Sequence, residues 1–237
     1  MIEAVLFDCW GTLLQAPSLM RRGASVEIFH RSLSRDCVEI DFEAFSEAYE
    51  EEASRQHQAA ELDYHELDYA QRIDSALQEI GFQHPRRRQI VQKAWEDYLA
   101  EWPRQSTPYD ETQGLLASLR GRYKLGLITN FWDGSTAREV FRMFGFDEVF
   151  DSMVISGELG FRKPNPLLFR RALSELGVPP ESAVMVGDTF LADVVGPKNL
   201  GIRAILIDAD GNQRENHREA DFVVRGVGEV GEALKVL

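Results

Sequence analysis

Apolar residues in this chain gather in short, nearly uninterrupted runs. Ala4–Phe7, Lys124–Thr129, Met153–Ile155, Ala183–Val186, Arg203–Ile207 and Phe222–Val224 are of this kind. Runs that do not alternate with polar residues predict strands buried on both faces, as in a parallel sheet. Between them lie stretches with helical spacing: Glu111–Arg120, Ser135–Phe144, Pro166–Leu176, Leu191–Leu200 and Glu229–Val236. Strand alternating with helix predicts an α/β fold with a doubly wound parallel sheet.

Residues 16–103 break this rhythm. They hold almost no strand-like run and are rich in Glu, Gln, Ala, Arg and Leu. Phe42, Phe45 and Tyr49, and then Ile73, Leu77 and Ile80, recur at helical intervals and read as helix-facing core. The expected division is a core made of 1–15 and 104–237, with a helical insertion over 16–103 that closes near Trp102-Pro103. The polar stretch Asp208–Ala220 reads as a surface loop.

Charge and cysteine content narrow the classes. The chain has 237 residues, 44% of them hydrophobic, which is enough for one domain with an insertion or for two small domains. Its net charge of −13 argues against binding a phosphate backbone, so no nucleic-acid partner is expected. Arg86-Arg87-Arg88, just after His84-Pro85, reads as the solvated start of a helix. Cys9 and Cys37 cannot make a disulfide framework, and Cys9 reads as a small packing residue rather than a nucleophile. MIEAVLF has neither a basic segment nor a long apolar one, and no apolar run approaches a membrane span. A cytoplasmic protein with no membrane partner is expected.

In parallel sheets, ligands bind beyond the carboxyl ends of the strands. The first run ends in Asp8, the second in Thr129-Asn130. The third leads through Ser156 to Lys163-Pro164. The fourth ends in Gly187-Asp188-Thr189, with Asp193 shortly after. Each alone has a plain structural use, a helix cap for Asp188 or Asp193 and a surface position for Lys163. Together they bring carboxylates, a hydroxyl, an amide and an ammonium to one sheet edge.

These segments resemble the haloacid dehalogenase (HAD) superfamily. FDCWGTL is similar to its first motif, LITN to its second, RKPNP to its lysine motif and GDTFLAD to its fourth. The resemblance covers essentially the whole chain. It implies a Rossmann-like core with a helical cap inserted after the first strand. It also implies Asp8 as nucleophile, forming a covalent aspartyl intermediate. Thr129 and Asn130 would hydrogen-bond phosphoryl oxygens, and Lys163 would supply positive charge to both phosphate and Asp8. Backbone amides around Gly11 and Thr12 would add donors. Clustered carboxylates repel unless a cation joins them, and hard oxygen ligands suit Mg²⁺. Asp8, Asp188 and the Trp10 carbonyl would be its ligands, with Asp193 binding directly or through water. The expected function is a Mg²⁺-dependent phosphatase for a small phosphorylated substrate.

One residue departs from that pattern. Phosphatases of the superfamily usually carry an acid/base aspartate where Trp10 stands, and an indole N–H cannot exchange a proton at working pH. Weak turnover of ordinary alkyl phosphates is expected, with Trp10 excluding water and leaving-group quality deciding the rate. The alternative is a 2-haloacid dehalogenase, since halide leaves without a proton and an aromatic residue at this position is common there. Arg31 and Arg35 lie where dehalogenases hold a substrate carboxylate, but the GDT…D motif is the metal-binding form. A weakly active regulatory protein is the non-enzymatic alternative. Asp133 reads as a helix cap rather than a substitute acid, and His30, His57 and His65 as exposed helix residues. Gly226–Gly231 spells G-x-G-x-x-G, yet no second strand or ribose-binding acid follows, so no dinucleotide site is expected. Walker A, HExxH and G-x-S-x-G motifs do not occur.

Overall fold

The computed structural model describes residues 1–21, 23–35 and 39–237. Cys37 lies outside the described residues. Cys9 is a free, buried thiol. No helix among the described residues is long and apolar enough to cross a membrane.

Six strands form one sheet: β1 (Ala4–Phe7), β2 (Lys124–Thr129), β3 (Ser152–Ile155), β4 (Ala183–Gly187), β5 (Arg203–Ile207) and β6 (Phe222–Val224). They pair in the order β3-β2-β1-β4-β5-β6, and every pair is parallel. β1 and β4 are buried throughout, which is why AVLF and AVMVG carry no polar side chain. Phe7 registers with Leu127 on one side and Val186 on the other. The chain builds outward through β2 and β3, then returns past β1 to lay down β4, β5 and β6. This reversal puts the switch point between β1 and β4, where ligands enter such sheets.

The chain divides into two compact units, Met1–Ala16 with Ser106–Leu237, and Pro17–Gln105. Among its described residues the second is built of helices: α1 (Ala24–Arg35), α2 (Phe42–Asp63), α3 (Tyr69–Glu79), α4 (Arg87–Leu99) and the short α5 (Glu101–Gln105). α1 packs on α4, and α3 on both α2 and α4. Asp41 and Asp68 cap α2 and α3 by accepting the N–H groups of Ala44 and Gln71, each at 2.8 Å. Phe29, Phe45, Tyr49, Ile73, Leu77 and Tyr98 are its buried core. Phe42, expected in that stripe, is 43% exposed, because it is the first helical residue after the cap. Arg87 pairs with Asp74 at 2.8 Å, while Arg86 and Arg88 are exposed. Arg31 and Arg35 are also exposed, with Arg35 3.9 Å from Asp97. The three histidines bond locally, His30 to the Ile40 carbonyl, His57 to the Ala53 carbonyl and His65 to Asp63. Of the three, His57 is exposed and His30 and His65 are half-buried.

The first unit covers its sheet with α6 (Thr112–Leu119), α7 (Gly134–Met143), α8 (Ser156–Leu159), α9 (Pro166–Leu176), α10 (Gly196–Lys198) and α11 (Val230–Ala233). α9 begins with an Asn165 cap and Pro166 in the first turn, and ends at Gly177 in the left-handed conformation. Its Leu168, Phe169, Ala172 and Leu173 pack with Leu6, Ile128 and Met185 of the sheet.

Two expectations need correction, and a third gains detail. The helix predicted over Leu191–Leu200 is a π-helical segment, Phe190–Val195, followed by the short α10. Pro197 has no N–H to continue an α-helical ladder there. The helix predicted over Glu229–Val236 shrinks to α11 after a 3₁₀ turn at Val227–Glu229, since Gly228 and Gly231 are poor helix formers. The loop Asp208–Ala220 is organised around Asp208, which is only 5% exposed. The Asp208 carboxylate accepts the N–H groups of Asn212 and Gln213 and pairs with His217 Nε2 at 2.6 Å.

Candidate active site

The site is assembled at the carboxyl ends of β1, β2 and β4. Asp8 follows β1 directly, and its N–H extends the ladder by donating to the Val186 carbonyl at 2.9 Å. The chain then closes a tight turn. Thr12, Leu13 and Leu14 all donate their N–H groups to the Cys9 carbonyl, and Gly11 donates to the Leu14 carbonyl. The Gly11 and Thr12 N–H groups, expected among the phosphate donors, are bonded within this turn. Gly11 has φ +92°, and a Cβ added to it would sit 2.4 Å from Asp188 Oδ2. Only glycine fits both the backbone and the space. Thr12 Oγ1 donates to Asp188 Oδ1 at 3.4 Å.

Thr129 ends β2 and is buried. Asn130, expected to meet phosphoryl oxygens, is occupied otherwise. Its Oδ1 accepts the Lys163 N–H at 2.7 Å, and its Nδ2 donates to the Lys163 carbonyl at 3.0 Å. The side chain therefore fixes the backbone of the lysine and keeps one N–H to spare. Lys163 is 3% exposed, and its Nζ lies 2.6 Å from Asp8 Oδ1 and 2.7 Å from Asp193 Oδ1.

β4 ends at Gly187, and Asp188 follows. A Cβ on Gly187 would lie 2.3 Å from the Asp193 carboxyl, so glycine again opens the room a carboxylate occupies. The π-helical segment turns Asp193 inward, where it is fully buried, and its Oδ2 accepts the Thr189 N–H at 3.0 Å. Asp8, Asp188 and Asp193 each bring a carboxylate oxygen within 4.8 Å of the others. Lys163, Asp8, Asp188 and Asp193 are thus brought together from β1, β4 and the segment leading to α9.

The electrostatics follow from crowding. Burial, then repulsion by Asp8 and Asp193, raises the Asp188 pKa. Burial also raises that of Asp193, against the pull of Lys163. Burial disfavours the Lys163 ammonium, but the Asp193 and Asp8 carboxylates outweigh it and hold its pKa above the ordinary lysine value. One ammonium does not balance three carboxylates, and a set of hard oxygen donors short of positive charge fits a divalent cation. Burial, then the Asp8 charge, raises the Cys9 thiol pKa, which suits a packing residue and not a nucleophile.

Trp10 is buried, with 7% exposure. Its ring stacks on Phe131 at 4.6 Å between centroids, and Phe131 stacks in turn on Trp132 at 4.8 Å. The indole N–H donates to Ser106 Oγ at 3.1 Å. Asp133 caps α7 by accepting the Thr136 N–H at 2.8 Å. Burial opposes its ionisation, but the Ser135 hydroxyl and that N–H hold its pKa below the ordinary value.

A family model described as haloacid dehalogenase-like hydrolase matches residues 2–201. The chain belongs to the haloacid dehalogenase-like hydrolase family. This hydrolase is 31% identical to a glyceraldehyde 3-phosphate phosphatase of Methanopyrus kandleri, over 94% of this chain and 91% of the relative. It is 37% identical to a Methanothermobacter thermautotrophicus protein of the same name, over 46% of this chain and 48% of that one. Some curated relatives are therefore matched over only about half their length. Among solved structures, a HAD phosphatase from Thermococcus onnurineus superposes with a TM-score of 0.72 at 26% identity, over 98% of both chains.

Three polar residues of this HAD hydrolase escape a reading of its sequence: Ser106 on Trp10, Ser156 bridging the Phe131 backbone, and Gln213 on the Asp188 carbonyl. Each partner is remote in sequence. The one local signal was Asp208, a lone carboxylate closing an apolar strand as Asp8 does.

Proposed function

We propose that the protein is a Mg²⁺-dependent phosphatase that acts on a small phosphorylated substrate through an aspartyl-phosphate on Asp8. The observation that carries this reading is the contact of Lys163 Nζ with Asp8 Oδ1 beside the Asp188 and Asp193 carboxylates. That contact falls on one Asp8 oxygen, which keeps a lone pair for a cation, and leaves the other to attack phosphorus. The new Asp8–phosphorus bond forms as the bond to the leaving oxygen breaks, and the leaving oxygen takes the electron pair. Water then attacks phosphorus as the Asp8–phosphorus bond breaks; the electron pair restores the Asp8 carboxylate, and the water's protons leave on phosphate and to solvent.

Lys163 and the Thr129 hydroxyl stabilise the phosphoryl oxygens, and Asn130 positions Lys163. Asp8, Asp188 and the Trp10 carbonyl would hold Mg²⁺. Bound there, the ion would supply positive charge against the phosphoryl oxygens. Both Asp193 oxygens are engaged, by Lys163 and by the Thr189 N–H, which favours its acting through water. Trp10, with its N–H on Ser106, lends no proton to the leaving group. General acid help is worth about 10²–10⁴-fold, so substrates with good leaving groups are favoured.

The names of the relatives lend weight to phosphate ester hydrolysis. The test is turnover of an activated aryl phosphate with and without Mg²⁺, beside an Asp8→Asn control. Metal-dependent release of phosphate that the control abolishes supports the reading. Chelator-insensitive halide release from a 2-haloacid, with no phosphatase activity, would replace it by the dehalogenase one.

A further inference from the structure

We propose that Gln213 is a positioning residue for the metal-facing carboxylate Asp188, held in place by Asp208. The proposal rests on the reading of Asp188 as a metal ligand. β4 and β5 pair as far as Gly187 with Leu206. Asp188 is the next residue, just past that ladder. Gln213 Nε2 donates to the Asp188 carbonyl at 2.9 Å, extending the hydrogen bonding of the sheet edge with a side chain.

The segment that carries Gln213 is built for this. Asp208 follows β5 as Asp188 follows β4, and its N–H is held by the Val224 carbonyl at 2.9 Å. Its buried carboxylate accepts the Gln213 N–H, with Oδ1 at 3.4 Å and Oδ2 at 3.3 Å, and the Asn212 N–H at 3.1 Å. His217 Nε2 closes the loop on the same carboxylate at 2.6 Å. Gly211, at φ +68°, allows the reversal between Asp208 and these donors. Asp188 is thus tied on two sides. Thr12 holds its carboxylate, and Gln213 holds its main chain. A group that orients a metal ligand typically affects metal affinity about 10–100-fold.

The experiment is Mn²⁺ binding to the metal-free full chain, followed by electron paramagnetic resonance and isothermal titration. Wild type, Asp188→Asn, Gln213→Met and Asp208→Asn are compared, with the exposed Glu215→Ala as a control in the same loop. Gln213→Met keeps the side-chain length and loses the donor. The expected result is Mn²⁺ binding in wild type and in Glu215→Ala, loss in Asp188→Asn, and affinity about tenfold weaker in Gln213→Met at unchanged melting temperature. Asp208→Asn weakens binding in the same direction. Wild-type affinity in Gln213→Met overturns the positioning role while leaving the metal reading intact. Absence of Mn²⁺ binding in wild type overturns the metal reading, and the positioning role with it. If Gln213→Met unfolds, Gln213→Asn, too short to reach the carbonyl, replaces it under the same criteria.

Discussion

Trp10 Nε1 donates to Ser106 Oγ at 3.1 Å, joining the turn after β1 to a residue 96 positions later. The indole two residues beyond the candidate nucleophile is therefore a packed, satisfied group, stacked on Phe131 and unable to take part in proton transfer. Replacing it by aspartate restores an acid at the cost of this packing. Trp10→Asp should raise turnover of alkyl phosphates more than that of aryl phosphates in saturating Mg²⁺. It should also lower stability by about 3–5 kcal/mol, as expected for loss of a large buried side chain. Steady-state kinetics on matched esters and urea unfolding check the two effects. An alkyl rate that stays flat in folded variant protein would count against the leaving-group account.

Lys163 is buried between Asp8 and Asp193 at 2.6 and 2.7 Å. Removing one partner of a buried ion pair leaves the others uncompensated, typically at about 3–5 kcal/mol. Lys163→Met should therefore lose activity in saturating Mg²⁺ and stability in metal-free protein. Adding Asp193→Asn should restore part of the stability but none of the activity. Urea unfolding of the single and double variants reads the coupling.

Much of the fold is legible because burial on both faces leaves a plain trace. AVLF, KLGLIT and RAILI are strands with the bounds their apolar runs predict. The charged candidates are legible only together: carboxylates and a lysine fall at or after the ends of several apolar strands on one edge of the sheet. The jobs of Asn130 and Gly11 are not legible. Asn130 bonds to Lys163, 33 residues away, and Gly11 yields its space to Asp188, which follows a different strand. Local pattern carries no information about such partners. Helix 191–200 fails for a nearer reason, since periodicity sees side chains and not the backbone ladder that Pro197 interrupts.

Two glycines give a sharper test of the packing. Gly11→Ala would force a Cβ to within 2.4 Å of Asp188, and Gly187→Ala to within 2.3 Å of Asp193. Both should weaken Mg²⁺ binding and activity together. Gly11→Ala should also destabilise the fold by about 1 kcal/mol or more, because alanine is strained at φ +92°. Gly121→Ala, also at positive φ but with open space around it, should cost stability alone. Equal activity loss in Gly121→Ala would show strain, not crowding, to be the cause.

The pH dependence of stability has a definite sign. Asp188 is pushed up from 3.8 to about 7, first by burial and then by the Asp8 and Asp193 charges. The folded protein then holds a proton that the unfolded chain releases near its ordinary carboxylate pKa. That contribution is present at low pH and is lost as pH rises from about 4 through about 7. Metal-free protein should gain stability when the pH falls from about 7.5 to about 5. Asp188→Asn should flatten this slope. Saturating Mg²⁺ should reverse it, because ion and proton compete for the same oxygens. Urea midpoints across that range, with and without Mg²⁺, supply the comparison.

The covalent step is open to direct observation. Protein mixed with an activated aryl phosphate and Mg²⁺ is quenched in acid within one turnover, digested, and its peptides weighed. The account predicts a phosphoryl group on the peptide carrying Asp8, absent without Mg²⁺ and absent in Asp8→Asn. Phosphate release that proceeds at full rate with Asp8 never modified would contradict it.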